Sequence, residues 1–113
     1  MRVLVDTSVW IEHLRAPQHE LTNLLIGRTV LIHSAIIGEL ACGNLSKRKQ
    51  FLADLQLLPR AVEATVEDSL LFLEQARLFG KGLGWIDIQL LVSAKLSNAE
   101  ILTYDKSLKK YLL

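Results

Sequence analysis

Apolar residues recur along this chain in two spacings that alternate from the first residue to the last. Short β-prone runs, Arg2 to Val5, Thr29 to Ile32 and Glu100 to Thr103, read as strands. Between them, apolar positions fall three and four apart, the spacing of a helix that buries one face. The first such stretch runs from Thr7 to about Arg15 and is broken by Pro17; the second, Glu20 to Ile26, carries Leu21, Leu24 and Leu25 and stops at Gly27. Ser34 is placed to cap a helix from Ala35 to about Cys42, which Gly43-Asn44 ends. A further helix starts at Ser46, runs through Leu57 and closes before Pro59, and Ala61-Val62 is a candidate short strand. Thr65 with Asp68 three residues on resembles a capping box, opening a helix that ends at Gly80. Trp85 to Leu96 is apolar almost all round and is expected to be buried, and Lys106 to Leu112 forms a short terminal helix.

Strands that alternate with helices need crossover connections, so the expected class is α/β, with a mainly parallel sheet flanked by helices. No repeat, low-complexity tract or linker interrupts the pattern, and 113 residues suffice for one compact domain spanning 1–113. Half the residues are apolar, which argues against disorder, and a formal net charge of +1 neither advertises nor excludes a nucleic-acid partner. The single cysteine, Cys42, has no internal partner; with Leu40 and Ala41 beside it an inert core thiol in a reducing cytoplasm is expected. Asp6 and Glu12 fall where a secretory leader would be uncharged. The longest uncharged apolar stretch, Thr29 to Gly38, is well short of the ~20 residues a membrane span needs. A soluble protein is expected.

The acidic residues carry the chemical signal. Of twelve, eight sit where charge is ordinarily solvated or favoured: Glu67 and Asp68 in a first helical turn, Glu74 with Arg77 at i+3, Glu12 beside His13, and Glu20, Asp54, Glu63 and Glu100 near polar residues or element edges. The other four stand in apolar company. Asp6 ends a strand, Glu39 lies mid-helix in SAIIGELACG, Asp87 lies in GWIDIQLLVSA, and Asp105 follows the last strand. Each has a structural alternative: Asp6 and Asp105 could cap helices, and Asp87 sits in a first turn. Glu39 is the hardest to explain that way. Neither Glu39 nor Asp87 has a basic partner within one turn, and a carboxylate withdrawn from water needs a partner or a cation. Four converging carboxylates suit Mg²⁺ or Mn²⁺, and such sites typically serve phosphate chemistry. His13, His19 and His33 lack zinc-ligand spacing, and no P-loop, GxGxxG or GxSxG is present. A receiver-like signalling domain would want paired acids after the first strand, and only Asp6 is there.

VDTSVWI, GEL at Gly38 to Leu40, GWIDIQLLVSA and ILTYDKSL together resemble the PIN-domain nucleases, and among them the VapC-like toxins of toxin–antitoxin pairs. The resemblance covers essentially the whole chain, with all four acids in order. It implies a Mg²⁺- or Mn²⁺-dependent endoribonuclease whose catalytic and metal-binding acids are Asp6, Glu39, Asp87 and Asp105. Thr7, Ser8 and Thr103 correspond to supporting hydroxyls. It further implies an RNA substrate, often a transfer RNA, a small antitoxin partner and a homodimer. Two departures stand out: many relatives continue into another strand after the last acid, and Leu108 replaces a frequent Phe. Lys106, Lys47 and Arg48 are candidates for RNA phosphates, with Lys49, Lys109 and Lys110 nearby, although each cluster also reads as a solvated helix face. Trp10 reads as a core residue or, if exposed, as a partner anchor. The competing class is a catalytically inactive PIN-like scaffold that binds RNA or protein.

Overall fold

The computed structural model describes residues 1–112. The order of elements is β1 (Arg2–Val5), α1 (Thr7–Arg15), α2 (His19–Ile26), β2 (Val30–Leu31), α3 (Ser34–Ala41), α4 (Arg48–Leu55), α5 (Val66–Gln75), α6 (Trp85–Leu96), β3 (Ala99–Leu102) and α7 (Lys106–Lys109). All three strands are parallel, in the order β2-β1-β3. Val3 faces Val30 on one side and Glu100 on the other, so β1 is the centre of the sheet. That is why Val3, Leu4 and Val5 are apolar without alternation: both faces are covered.

The expected α/β class is the observed one, with differences at the edges. The Thr29–Ile32 run gives only a two-residue ladder, because beyond it Ile32 turns to a single parallel bridge with Arg60. That bridge is all that forms of the expected strand at Ala61-Val62. The helix expected from Ser46 begins two residues later, after Lys47 adopts a left-handed backbone (φ 51°). The Thr65–Asp68 capping box is present, each side chain bonding the other's backbone N–H.

Packing divides into two groups of helices. α6 lies on β1 and β3 with α5 against it, while α1 packs on α3 and α3 on α4. The core between them includes Leu4, Val5, Val9, Leu31, Ile36, Leu40 and Leu90. Each such side chain contributes about 1.5–3 kcal/mol by leaving water. Leu108, the replacement for Phe, is also fully buried. Trp10 is a core residue too, edge-on to Phe51 at 6.1 Å, so it is not an exposed anchor. Cys42 departs from expectation: it ends α3 on the outer side, its thiol exposed. The expectation that α6 is buried all round fails at its two ends, where Trp85 and Leu96 face solvent. Among the described residues no helix is long and apolar enough to cross a membrane.

Sheet order then dictates where a site can form. From the central strand the chain goes to β2 on one side and later to β3 on the other. The connections leave β1 and its neighbours in opposite directions, which opens a crevice beyond the carboxyl ends of the strands. Asp6 follows β1, His33 follows β2 and Asp105 follows β3 by three residues.

Candidate active site

Asp6 occupies the N-cap position of α1, yet its side chain makes no capping hydrogen bond. It is turned to other donors. Thr103 Oγ1 donates to Asp6 Oδ2 at 2.7 Å, and Ser8 Oγ donates to the same oxygen at 3.0 Å. Asp6 and Thr103 are both buried. Both bonds fall on one oxygen, which leaves Oδ1 free of them. The two hydroxyls are themselves fixed by the backbone that follows β3: Asp105 N–H donates to Thr103 Oγ1 at 3.0 Å, and Tyr104 N–H donates to Ser8 Oγ at 3.0 Å. Ser8 and Thr103 thus form one network with Asp6 that ties the end of β1 to the end of β3.

The other three acids border a single cleft of about 560 Å³, together with Gly84, Trp85 and Ile86. Asp87 arrives there on the first turn of α6 and accepts from Gly84 N–H at 2.9 Å through Oδ2, reaching back to the N-cap backbone. Asp105 is the N-cap of α7 and accepts from Ser107 N–H at 2.8 Å through Oδ1. The structural alternatives for these two are therefore realised, each through one oxygen. Glu39 projects from α3 and accepts from Thr7 Oγ1 at 2.7 Å. Its apolar neighbours Ile36 and Leu40 point into the core, while Gly38 and Glu39 lie on the outer face, so Glu39 is exposed rather than buried.

Electrostatics join Asp6 to the cleft. The Asp87 carboxyl is held above its ordinary value, first by burial and then by the negative charges of Asp105 and Asp6; only the Gly84 N–H opposes them. Among the described residues the two ion pairs are Arg15–Glu12 and Arg60–Glu63, and neither touches this group. The donors are all hard oxygens, and a cation would relieve the repulsion that raises Asp87, so the chemistry of the set fits a divalent metal. It is not a closed cage: among the described residues no three His, Cys, Asp or Glu side chains are gathered tightly enough to hold an ion as they stand.

The basic candidates lie outside the cleft lining. Lys106 follows Asp105 and is exposed, as is Lys47 at the start of α4. Arg48 has a structural contact, donating from Nε (3.1 Å) and Nη2 (2.8 Å) to Ala41 O at the end of α3. The other end of α3 is held by residues that sequence reading passed over. His33, not Ser34, is the N-cap, its Nδ1 accepting from Ala35 N–H at 3.0 Å. Glu63, grouped above with the solvated acids, accepts from Ser34 N–H at 3.0 Å and from the Ser34 hydroxyl. These clamps hold the eight-residue helix that carries Glu39, whose interior Gly38 would otherwise weaken it.

His33 gives a pH prediction. Burial lowers the affinity of its imidazole for a proton; Glu63 opposes the shift and Arg60 adds to it. With Nδ1 accepting, the proton of the neutral ring sits on Nε2, which is buried without a partner. As pH falls below 6.5, the usual value, the unfolded chain takes up the proton first. The stability held above that pH is then lost as pH falls toward the lower folded value. His33→Asn keeps a capping acceptor but cannot titrate, so melting curves between about pH 5 and 7.5 should lose much of their acid slope.

A small parallel α/β domain with acids set around the carboxyl edge of its sheet is the class that fold and site define. The sequence matches the PIN domain family over residues 3–111. Ribonuclease VapC32 of Mycobacterium tuberculosis, from strain CDC 1551 / Oshkosh and again from strain ATCC 25618 / H37Rv, is 42% identical over 108 residues, covering 95% of this chain and 87% of the relative. The crystal structure of PAE2754 from Pyrobaculum aerophilum shares the fold with a TM-score of 0.65 at 16% identity, over 96% of this chain and 77% of that one. The chain belongs to the PIN-domain family.

Proposed function

We propose that this chain is an endoribonuclease that uses a divalent metal, Mg²⁺ or Mn²⁺, and is the toxin of a toxin–antitoxin pair. The observation that carries the reading is the acidic group at the sheet's carboxyl edge, without an ion pair among the described residues, in which Asp87 is pushed up by burial and by Asp105 and Asp6. The 42% identity to proteins named ribonuclease supports it. Asp6, Asp87 and Asp105 would hold the metal, with Glu39 joining through water or orienting the attacking water. When bound, the cation supplies an activated water and screens the phosphate. Thr103 and Ser8 hold and aim the Asp6 carboxyl, and Thr7 restrains Glu39. In-line attack by water on phosphorus breaks the bond to the 3′ oxygen, which takes a proton, and leaves a 5′-phosphate and a 3′-hydroxyl.

A small antitoxin as partner, a homodimer, a transfer RNA as substrate and a cytoplasmic setting belong to the same reading. So does one nuclease domain over 1–113, of which Leu113 lies outside the described residues. Purified protein incubated with total cellular RNA should cut it with Mg²⁺ or Mn²⁺ and not with EDTA. Cutting that survives EDTA would overturn the metal; a folded, partner-free protein that cuts nothing would overturn the nuclease.

A further inference from the structure

Two tryptophans occur in this chain, and their settings are opposite. Trp10 is 3% exposed, whereas Trp85 is 40% exposed and forms part of the wall of the acidic cleft, between Gly84 and Ile86. Local structure does not account for it. The start of α6 is held by the bond from Gly84 N–H to the Asp87 carboxylate, which uses nothing of the indole. Burying that ring elsewhere would stabilise the fold, so its exposure is a cost the fold carries. The cleft lining is otherwise three carboxylates, Gly84 and Ile86. An incoming polynucleotide meets repulsion there at every phosphate. A flat, neutral, polarisable face is the one kind of attraction that such a wall can offer a nucleobase. Lys81, exposed between the left-handed glycines Gly80 (φ 69°) and Gly82 (φ 82°), adds a cation to the loop that leads into α6.

We propose that Trp85 is a substrate-contacting residue whose indole stacks on a base beside the scissile phosphate of RNA. This rests on the nuclease reading above. A base stacked on protein has left its neighbours in a duplex, so the nucleotide held by Trp85 is unpaired. Stacking tolerates every base, so the contact selects for an unpaired position and not for a sequence.

The test is binding of a short labelled single-stranded oligoribonucleotide in EDTA, followed by anisotropy and by tryptophan fluorescence, beside a duplex of equal length. The single strand should quench wild-type fluorescence. Trp85→Ala should weaken its binding about tenfold or more, with Trp85→Phe retaining most of it and Trp85→Leu behaving like Ala. Duplex binding should be the same for wild type and Trp85→Ala. Because the side chain is partly in water, these variants should melt close to wild type. Equal affinity of wild type and Trp85→Ala for a single strand that wild type does bind overturns the proposal and leaves the nuclease standing. Full retention by Trp85→Leu overturns stacking in favour of plain apolar contact. A wild type that neither binds nor cuts any RNA overturns both.

Discussion

Asp6→Asn should lower cleavage by about a thousandfold or more while leaving the fold in place. The side chain keeps its shape, and its remaining oxygen can still accept from Thr103 and Ser8, which now hold it at 2.7 and 3.0 Å. What disappears is a negative charge at the end of the central strand. Two consequences separate this from general damage. The carboxylate repulsion that raises Asp87 includes Asp6, so the variant should be at least as stable as wild type without metal. Its melting temperature should also rise less on adding Mn²⁺, because a ligand stabilises only in proportion to its affinity for the folded state. Activity within tenfold of wild type would remove Asp6 from the proposed centre.

The sequence made Asp6 legible because a carboxylate that interrupts a buried strand is anomalous whatever surrounds it. Alternation implied the parallel α/β class, but the order β2-β1-β3, and with it the place of the crevice, is set by which strands pair in the fold. Glu39 was read from its neighbours in the chain, and there the reading missed its exposure. Periodicity places Ile36 and Leu40 on one face of α3 and Glu39 at the border of that face, and how wide a stripe is buried depends on what packs against the helix. The clamp from Glu63 to Ser34 spans 29 positions, and His33 displaces Ser34 as cap because Ser34's hydroxyl is already engaged with Glu63. Nothing local to either residue announces that exchange. Cys42 looked buried beside Leu40 and Ala41, yet it sits where α3 ends and the chain turns outward. Trp85 carries a signal in the sequence: it lies two residues before one of the four acids, at a helix start, where a core residue is not required. Sequence spacing ranks residues by their own element; the site is made of residues from β1's end, α3, α6 and β3's end, whose meeting is a property of the sheet.

Thr103→Val should carry the next largest effect, and it isolates the hydroxyl network from the acids themselves. Valine matches threonine in shape, so the packing of this 1% exposed position is kept and only the hydroxyl is lost. Three links go with it: the 2.7 Å bond to Asp6, the acceptor for Asp105 N–H at 3.0 Å, and the 3.3 Å contact with Ser8 Oγ. Asp6 is then a buried carboxylate with one hydroxyl donor where it had two. Leaving a buried polar group unsatisfied costs about 1–3 kcal/mol, so urea or thermal unfolding should show a loss of that order. Cleavage should fall by about a hundredfold, because both ends of the network are acids of the proposed centre and each loses one of its restraints. Thr103→Ser restores the hydroxyl without the methyl, and it should recover most of the activity at some expense of packing. The comparison decides between hydrogen bonding and shape. If Val retains activity and Ser does not, Thr103 serves the core, and the link between the ends of β1 and β3 is packing alone.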